Sequence, residues 1–196
     1  MTGDVSPADR LLTAEPDAAG FARLLTDVAQ ADDFALFGLP AAFDVDGDAL
    51  RRTFLAISRR IHPDIAAAGS PNAQRAVMQL SARVNRAFET LRNPIRRAEY
   101  LLQLRGGKSP ADDKRVPQDV LAGAMMLREE LEEAQQSGDQ AALDAMREQV
   151  GRQALTAEER VAELARKLAA PTDEIRDALR LQLNAMKYII NLRSQL

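Results

Sequence analysis

Leu50-Arg51-Arg52-Thr53-Phe54-Leu55-Ala56-Ile57-Ser58-Arg59-Arg60-Ile61-His62-Pro63-Asp64 is the stretch on which the fold of this chain turns. Leu50, Phe54, Ile57 and Ile61 recur at steps of four, three and four, which puts them on one stripe of a helix. Arg51, Arg52, Arg59 and Arg60 lie off that stripe, and Arg52 and Arg59, seven residues apart, share the side opposite it. Pro63 disfavours helical backbone at His62, so the helix is expected to stop there. Upstream, Asp44-Val45-Asp46-Gly47 is turn chemistry, with Asp46 placed to cap the helix. Downstream, an Ala/Gly loop over 66–69 leads to Ser70 as a cap and Pro71 at the first helical position. Val77, Leu80, Val84, Phe88 and Leu91 form the next stripe. Two long antiparallel helices are therefore expected, with His62-Pro63-Asp64 in their connection. Phe34, Phe37 and Leu39 form an apolar cluster ahead of them. Asn93-Pro94 interrupts the second helix, and a shorter segment, 95–104, closes the unit at Gly106-Gly107.

Composition agrees with an all-α fold. Of 196 residues, 46% are hydrophobic, enough for a packed core, while aromatics are only 4% and tryptophan is absent. Abundant Ala, Leu, Arg and Glu favour helix over strand. The formal net charge is −3 with both signs interspersed, so there is no basic stripe of the kind a nucleic acid needs. No apolar run reaches membrane-spanning length, and the absence of cysteine fits a reducing compartment. The N-terminus carries Asp4, Asp9, Glu15, Asp17 and Asp27 against Arg10 and Arg23, which suits neither a transit peptide nor a secretory signal, so the expected location is the cytoplasm. Residues 1–31 read as an N-terminal extension. Phe21, Leu24, Leu25 and Val28 fall at helical spacing, but a loosely packed extension is favoured over a docked helix.

A second unit follows a linker over 107–117, where prolines and charges cluster. Val120, Ala124, Leu127, Leu131 and Ala134 mark its first helix, ended by Ser137-Gly138. Leu143, Met146, Val150, Ala154, Ala157, Val161, Leu164 and Leu168 keep one phase through Gly151, predicting a single helix of about 45 Å. Pro171-Thr172 resets the chain, and Ile175, Leu179, Leu183, Met186 and Ile190 mark a third helix. Short connections between three helices imply an antiparallel bundle. Two of these helices carry apolar residues away from the expected core face. On the first, Leu121 and Met125 rotate away from the core stripe, Met126 is also off it, Glu129 lies on the far side and Glu133 is nearby. On the third, Leu181, Ala185, Tyr188 and Leu192 line a stripe nearly opposite the core. Such wide apolar faces are either buried against other helices or kept for a partner.

Catalysis finds little support. His62 is the only histidine, and there is no cysteine, nucleophile elbow or glycine-rich phosphate loop. One histidine among scattered carboxylates makes a poor metal site. No enzyme activity, metal or cofactor is expected. His62-Pro63-Asp64 alone reads as a plain loop and the arginines as a solvated face. Together, at the tip of a hairpin, they read as a basic strip beside an exposed loop, suited to an acidic partner surface.

These residues carry a family resemblance. Phe34-Ala35-Leu36-Phe37-Gly38-Leu39-Pro40 looks like the opening helix of a J-domain, and His62-Pro63-Asp64 matches the J-domain motif. Asn85-Arg86-Ala87-Phe88-Glu89-Thr90-Leu91-Arg92-Asn93-Pro94 resembles the end of its third helix. General DnaJ proteins place a Tyr-Asp near position 100, whereas Arg97-Ala98-Glu99-Tyr100-Leu101-Leu102 resembles the HscB family, as does Leu127-Arg128-Glu129-Glu130-Leu131. The resemblance spans roughly 33–193 and implies an L-shaped protein with a J-domain over 32–106, a linker over 107–117 and a C-terminal three-helix bundle over 118–196. It implies a co-chaperone that binds an IscU-type iron–sulfur scaffold and stimulates the ATPase of an HscA-type chaperone of the seventy-kilodalton heat-shock class. His62, Pro63, Asp64, Arg51, Arg52, Arg59 and Arg60 would meet the chaperone, and Leu121, Met125, Glu129, Glu133 and Tyr188 the scaffold. A monomer or weak dimer with no nucleic-acid or membrane partner is expected. The alternative is a J-protein of a DnaK-class chaperone for another client. Ile65-Ala66 depart from the family's basic-then-aromatic pair, and Ala122 replaces a larger apolar residue.

Overall fold

The computed structural model describes residues 6–13, 18–62 and 70–196. Among them are eight α-helices, one 3-10 turn and no strand, so the chain is all-α. Packing divides it into two compact units, Met1–Arg97 and Ala98–Leu196.

The first unit contains α1 (Pro7–Thr13), α2 (Ala18–Gln30), the 3-10 turn Ala35–Phe37, α3 (Gly47–Arg60), α4 (Pro71–Arg92) and the start of α5 (Pro94–Leu104). Local chemistry sets the boundaries. The Asp46 carboxylate accepts from the N–H groups of Asp48 and Ala49, both at 2.9 Å. The Ala49 bond, with Asp48 and the charge of Arg52 in support, holds its carboxyl below the usual carboxylate range. Ser70 accepts from Ala73 N–H ahead of Pro71. At the break, Asn93 turns extended and its side-chain oxygen accepts from Ile95 and Arg96 N–H at 3.0 Å, so the residue that ends α4 starts α5. Leu50, Ile57 and Ile61 of α3 are buried, as are Val77, Leu80, Val84 and Leu91 of α4. Phe54 stacks on Phe88 with centroids 4.0 Å apart and planes 13° from parallel, and Phe37 meets Phe88 tilted at 6.4 Å. Such ring pairs add about 1 kcal/mol each beyond burial.

The N-terminal extension is a docked layer, which corrects the loosely packed segment expected from sequence. Phe21, Leu24 and Val28 of α2 are buried, and α2 lies along α4. Ala8 and Leu11 of α1 are buried where α1 meets α3 and the 3-10 turn. Arg83 of α4 fastens the end of the layer, donating to the Asp33 carboxylate at 2.6 Å and to the Ala31 carbonyl at 3.0 Å. The reason is the broad buried face of α4. Ala73, Ala76 and Ala87 sit among its larger apolar residues, and α4 packs on both α2 and α3.

The second unit is built from α6 (Gln118–Ser137), α7 (Gln140–Lys167) and α8 (Asp173–Arg193), with the end of α5 and the segment that follows it. The 28 residues of α7 run through Gly151 without a break, about 42 Å. Gly138 turns the chain between α6 and α7 with φ of 68°, and Asp139 and Thr172 cap the next two helices. Leu127, Leu131, Met146, Val150 and Leu192 form the core of the bundle.

A polar stripe on α8 organises the rest. Arg180 is completely buried. Its Nη2 donates to Glu99 Oε2 at 2.6 Å, its Nη1 bonds Glu99 Oε1, and Nη1 also reaches the Lys108 carbonyl at 3.4 Å. One turn earlier Arg176 donates to the Arg105 carbonyl, and one turn later Asn184 donates to the carbonyls of Asp113 and Arg115, each at 2.9 Å. Asp113 is buried, and the hydrogen bonds from the Arg115 side chain and backbone N–H hold its carboxyl well below the usual carboxylate range. The stretch read as a linker is thus fastened along α8. Gly107 permits the path, since a Cβ there would lie 2.3 Å from Leu102 Cδ1.

The stripe also revises the reading of α8. Ile190, expected in the core, is 45% exposed, while Ala185 and Leu192, expected on an outward stripe, are buried. Apolar spacing misplaced the face because two buried positions are filled by Arg180 and Asn184.

Two stability measurements by urea unfolding check these features. Leu24→Ala is expected to destabilise the protein by about 3 kcal/mol, whereas a loose extension would tolerate it within about 0.5 kcal/mol. Glu99→Gln, which leaves the buried Arg180 guanidinium without a charged partner, is expected to cost about 3 kcal/mol, and Glu99→Leu/Arg180→Leu to recover at least half of that.

Candidate functional site

One candidate surface lies on α3 and its exit. With Leu50, Ile57 and Ile61 turned inward, Arg51, Arg52, Arg59 and Arg60 are all exposed, with Leu55 also exposed among them. The periodicity of the helix therefore separates the charges from the core as its sequence pattern predicts. His62 follows the last turn and is exposed. It borders a cleft of about 270 Å³ between α3 and α4, lined by Ser58, Ile61, Ser81, Val84 and Asn85. Ser81 Oγ donates to the Ile61 carbonyl at 2.9 Å, satisfying a C-terminal carbonyl that the helix leaves over and pinning the approach to His62. Sequence reasoning missed Ser81, whose only signal is a hydroxyl at the edge of an apolar stripe. Pro63, Asp64, Ile65 and Ala66 lie outside the described residues.

A second surface lies on α6 and α8. Leu121, Met125 and Arg128 from α6, Tyr188 and Asn191 from α8, and Gln195 just after α8 line a cleft of about 230 Å³. Leu121, Met125 and Tyr188 thus come together. Met125 is 67% exposed and Tyr188 39%, large apolar surfaces left in water beside a complete core. Glu129 is exposed, one turn beyond Met125. Glu133 lies elsewhere, in a groove of about 390 Å³ between α6 and α7 with Glu130, Asp139 and Met146. The helix explains the separation: at 100° per residue Glu133 is about 120° around α6 from Leu121. Arg128, which sequence reasoning did not assign to the site, brings a cation to the cleft. Its ion pair with Glu132 at 3.4 Å is exposed on both sides and holds it weakly. Ala122 is exposed.

Such a cleft offers an apolar floor with a polar rim and suits protein recognition. Among the described residues, no group of three or more His, Asp or Glu could hold a metal ion, and no helix is long and apolar enough to cross a membrane.

Comparison with known proteins agrees with this architecture. Residues 116–196 match the family described as the HSCB C-terminal oligomerisation domain. The chain is similar in structure to chaperone HscB from Vibrio cholerae, at 34% identity over 84% of this chain and 94% of that one, with a TM-score of 0.68. This chain belongs to the HscB family. It is also similar to human co-chaperone protein HscB, at 26% identity over 84% of this chain and 80% of that one, with a TM-score of 0.71. Membership in the HscB family makes it a co-chaperone of iron–sulfur cluster assembly. For an HscB protein, the two surfaces on different units are the natural places to seek its partners.

Proposed function

We propose that this protein binds an IscU-type iron–sulfur scaffold at the Leu121–Met125–Tyr188 cleft, presents it to an HscA-type chaperone and stimulates that chaperone's ATPase through His62, Pro63 and Asp64. The observation that carries the scaffold half is the exposure of Met125 and Tyr188 toward one cleft, on the domain that matches the HscB family. Methionine adapts its shape to a partner, and the tyrosine contributes a large apolar face with a polar tip. Glu129 stands next to the cleft along α6 and extends the contact, and Glu133 provides an acidic flank.

The chaperone half rests on the exposed arginines of α3 and on His62 at its exit. Arg51, Arg52, Arg59 and Arg60 steer an acidic partner surface onto the hairpin, an attraction that weakens with salt. Asp64 receives a charge-assisted hydrogen bond from a partner arginine, and Pro63 stiffens the loop so that less entropy is lost on docking. ATP is hydrolysed by the partner, and this chain contributes the contact that triggers it. The protein acts in the cytoplasm as a monomer or weak dimer and carries no cofactor.

Two variants test the two ends. His62→Gln is expected to keep the helical fold and lose stimulation of the purified chaperone; an unchanged steady-state ATPase rate refutes the chaperone half. Leu121→Ala/Tyr188→Ala is expected to weaken scaffold binding at least about tenfold, since interface anchors are worth more than about 1 kcal/mol each. Stimulation without any scaffold binding by the wild type would instead mark a J-protein for another client.

A further inference from the structure

We propose that the scaffold-binding surface continues behind Tyr188 into a second cleft, which takes an aliphatic side chain of the scaffold. This rests on the scaffold reading above and names a further anchor point for the same partner. The second cleft, about 230 Å³, lies along the first half of α6, with Gly123 and Leu127 from α6, Gln153 from α7 and Ile189 from α8 among its walls. Tyr188, Ala124 and Leu192 line both clefts, so the two are continuous around one tyrosine ring.

Gly123 is what makes the second cleft informative. It lies inside a helix, where glycine costs about 1 kcal/mol relative to alanine. Its backbone has no positive φ, and a Cβ built there would meet nothing within 4 Å. Neither a turn nor a close approach calls for glycine at this position. A methyl group would both favour the helix and begin to fill an apolar space whose lining lacks contacts. The chain carries Ala122-Gly123-Ala124 here, between Leu121 and the exposed pair Met125 and Met126. Small residues thus hold a space open beside adaptable ones, at the point where the proposed interface begins. Leu127, Ile189 and Leu192 make the lining aliphatic, and Asp119 and Gln153 supply polar groups. A leucine-like side chain from a partner already held at Leu121, Met125 and Tyr188 fits that chemistry.

The test fills the cleft from two sides in the full chain. Gly123→Leu fills it from α6, and Gln153→Phe, at an exposed position of α7, fills it from the opposite wall. Gly151→Ala is the control, a glycine inside α7 with equal room for a Cβ. Calorimetric titration with a purified IscU-type scaffold is expected to show at least tenfold weaker binding by both filled variants, with Tm unchanged or raised. The control binds within twofold of wild type, and scaffold-independent stimulation of the chaperone ATPase is unchanged throughout. Wild-type affinity in either filled variant overturns the second cleft, and loss of binding in Leu121→Ala/Tyr188→Ala then leaves the scaffold reading standing. If the wild type binds no scaffold, both fall.

Discussion

The pairing of Arg180 with Glu99 is the constraint from which the second unit follows. A guanidinium taken entirely out of water carries a desolvation penalty of several kcal/mol, and only close partners offset it. The bidentate carboxylate of Glu99 meets most of that need, and the Lys108 carbonyl adds to it. Arg176 and Asn184 lie four residues to either side on the same face of α8, and they hold the carbonyls of Arg105, Asp113 and Arg115. The segment between α5 and α6 is therefore laid along α8, and the start of α6 is fixed with it. Tyr188 is one turn beyond Asn184, so the stripe that fixes the backbone leads to the residue that faces the cleft. Leu121 and Met125 meet Tyr188 because α6 begins where this segment ends.

In the first unit the same separation of roles is achieved by an amphipathic helix. The inward side of α3 is held by apolar packing, the Phe54–Phe88 stack and the Ser81–Ile61 hydrogen bond. The outward side carries arginine near both ends of the helix, with Leu55 exposed between them. Docking of α1 and α2 enlarges the core of this unit while leaving those arginines exposed. One helix thus buries its apolar side against α4 and leaves its arginines in water.

Much of this was legible in the sequence, wherever a local rule decides the outcome. Asp46, Ser70 and Asn93 announce helix ends because a short polar side chain can satisfy backbone N–H groups within its own turn. The length of α7 was legible through Gly151 because seven turns of consistent apolar phase outweigh one poor helix former. Residues whose burial depends on distant partners were not. Leu11 has no signal of its own until α3 and the 3-10 turn meet α1, and the stripe of Phe21, Leu24 and Val28 docks only because α4 lies along α2. Arg180 and Asn184 look solvent-facing until Glu99 and the carbonyls of the connecting segment come round to meet them. Apolar spacing passes over those two positions, so the stripe it gives for α8 is rotated, with Ile190 inside and Leu192 outside, the reverse of their burial. Glu133 stands with Leu121 in the family resemblance, while three steps of four, each adding about 40°, carry it about 120° around α6.

The two proposed recognition surfaces rest on different physics. Exposed arginines act at range, raise the rate of encounter and are screened by salt. An apolar cleft acts only on contact and holds by excluding water, so it governs how long a partner stays. Under the proposed function, a carried client would need a contact that lasts, and a partner ATPase one that forms quickly. The residues follow that division: cations on α3 with a single histidine at its exit, and methionine, leucine and tyrosine on α6 and α8. Neither surface contains a residue of the other, so a substitution on one leaves the chemistry of the other unchanged.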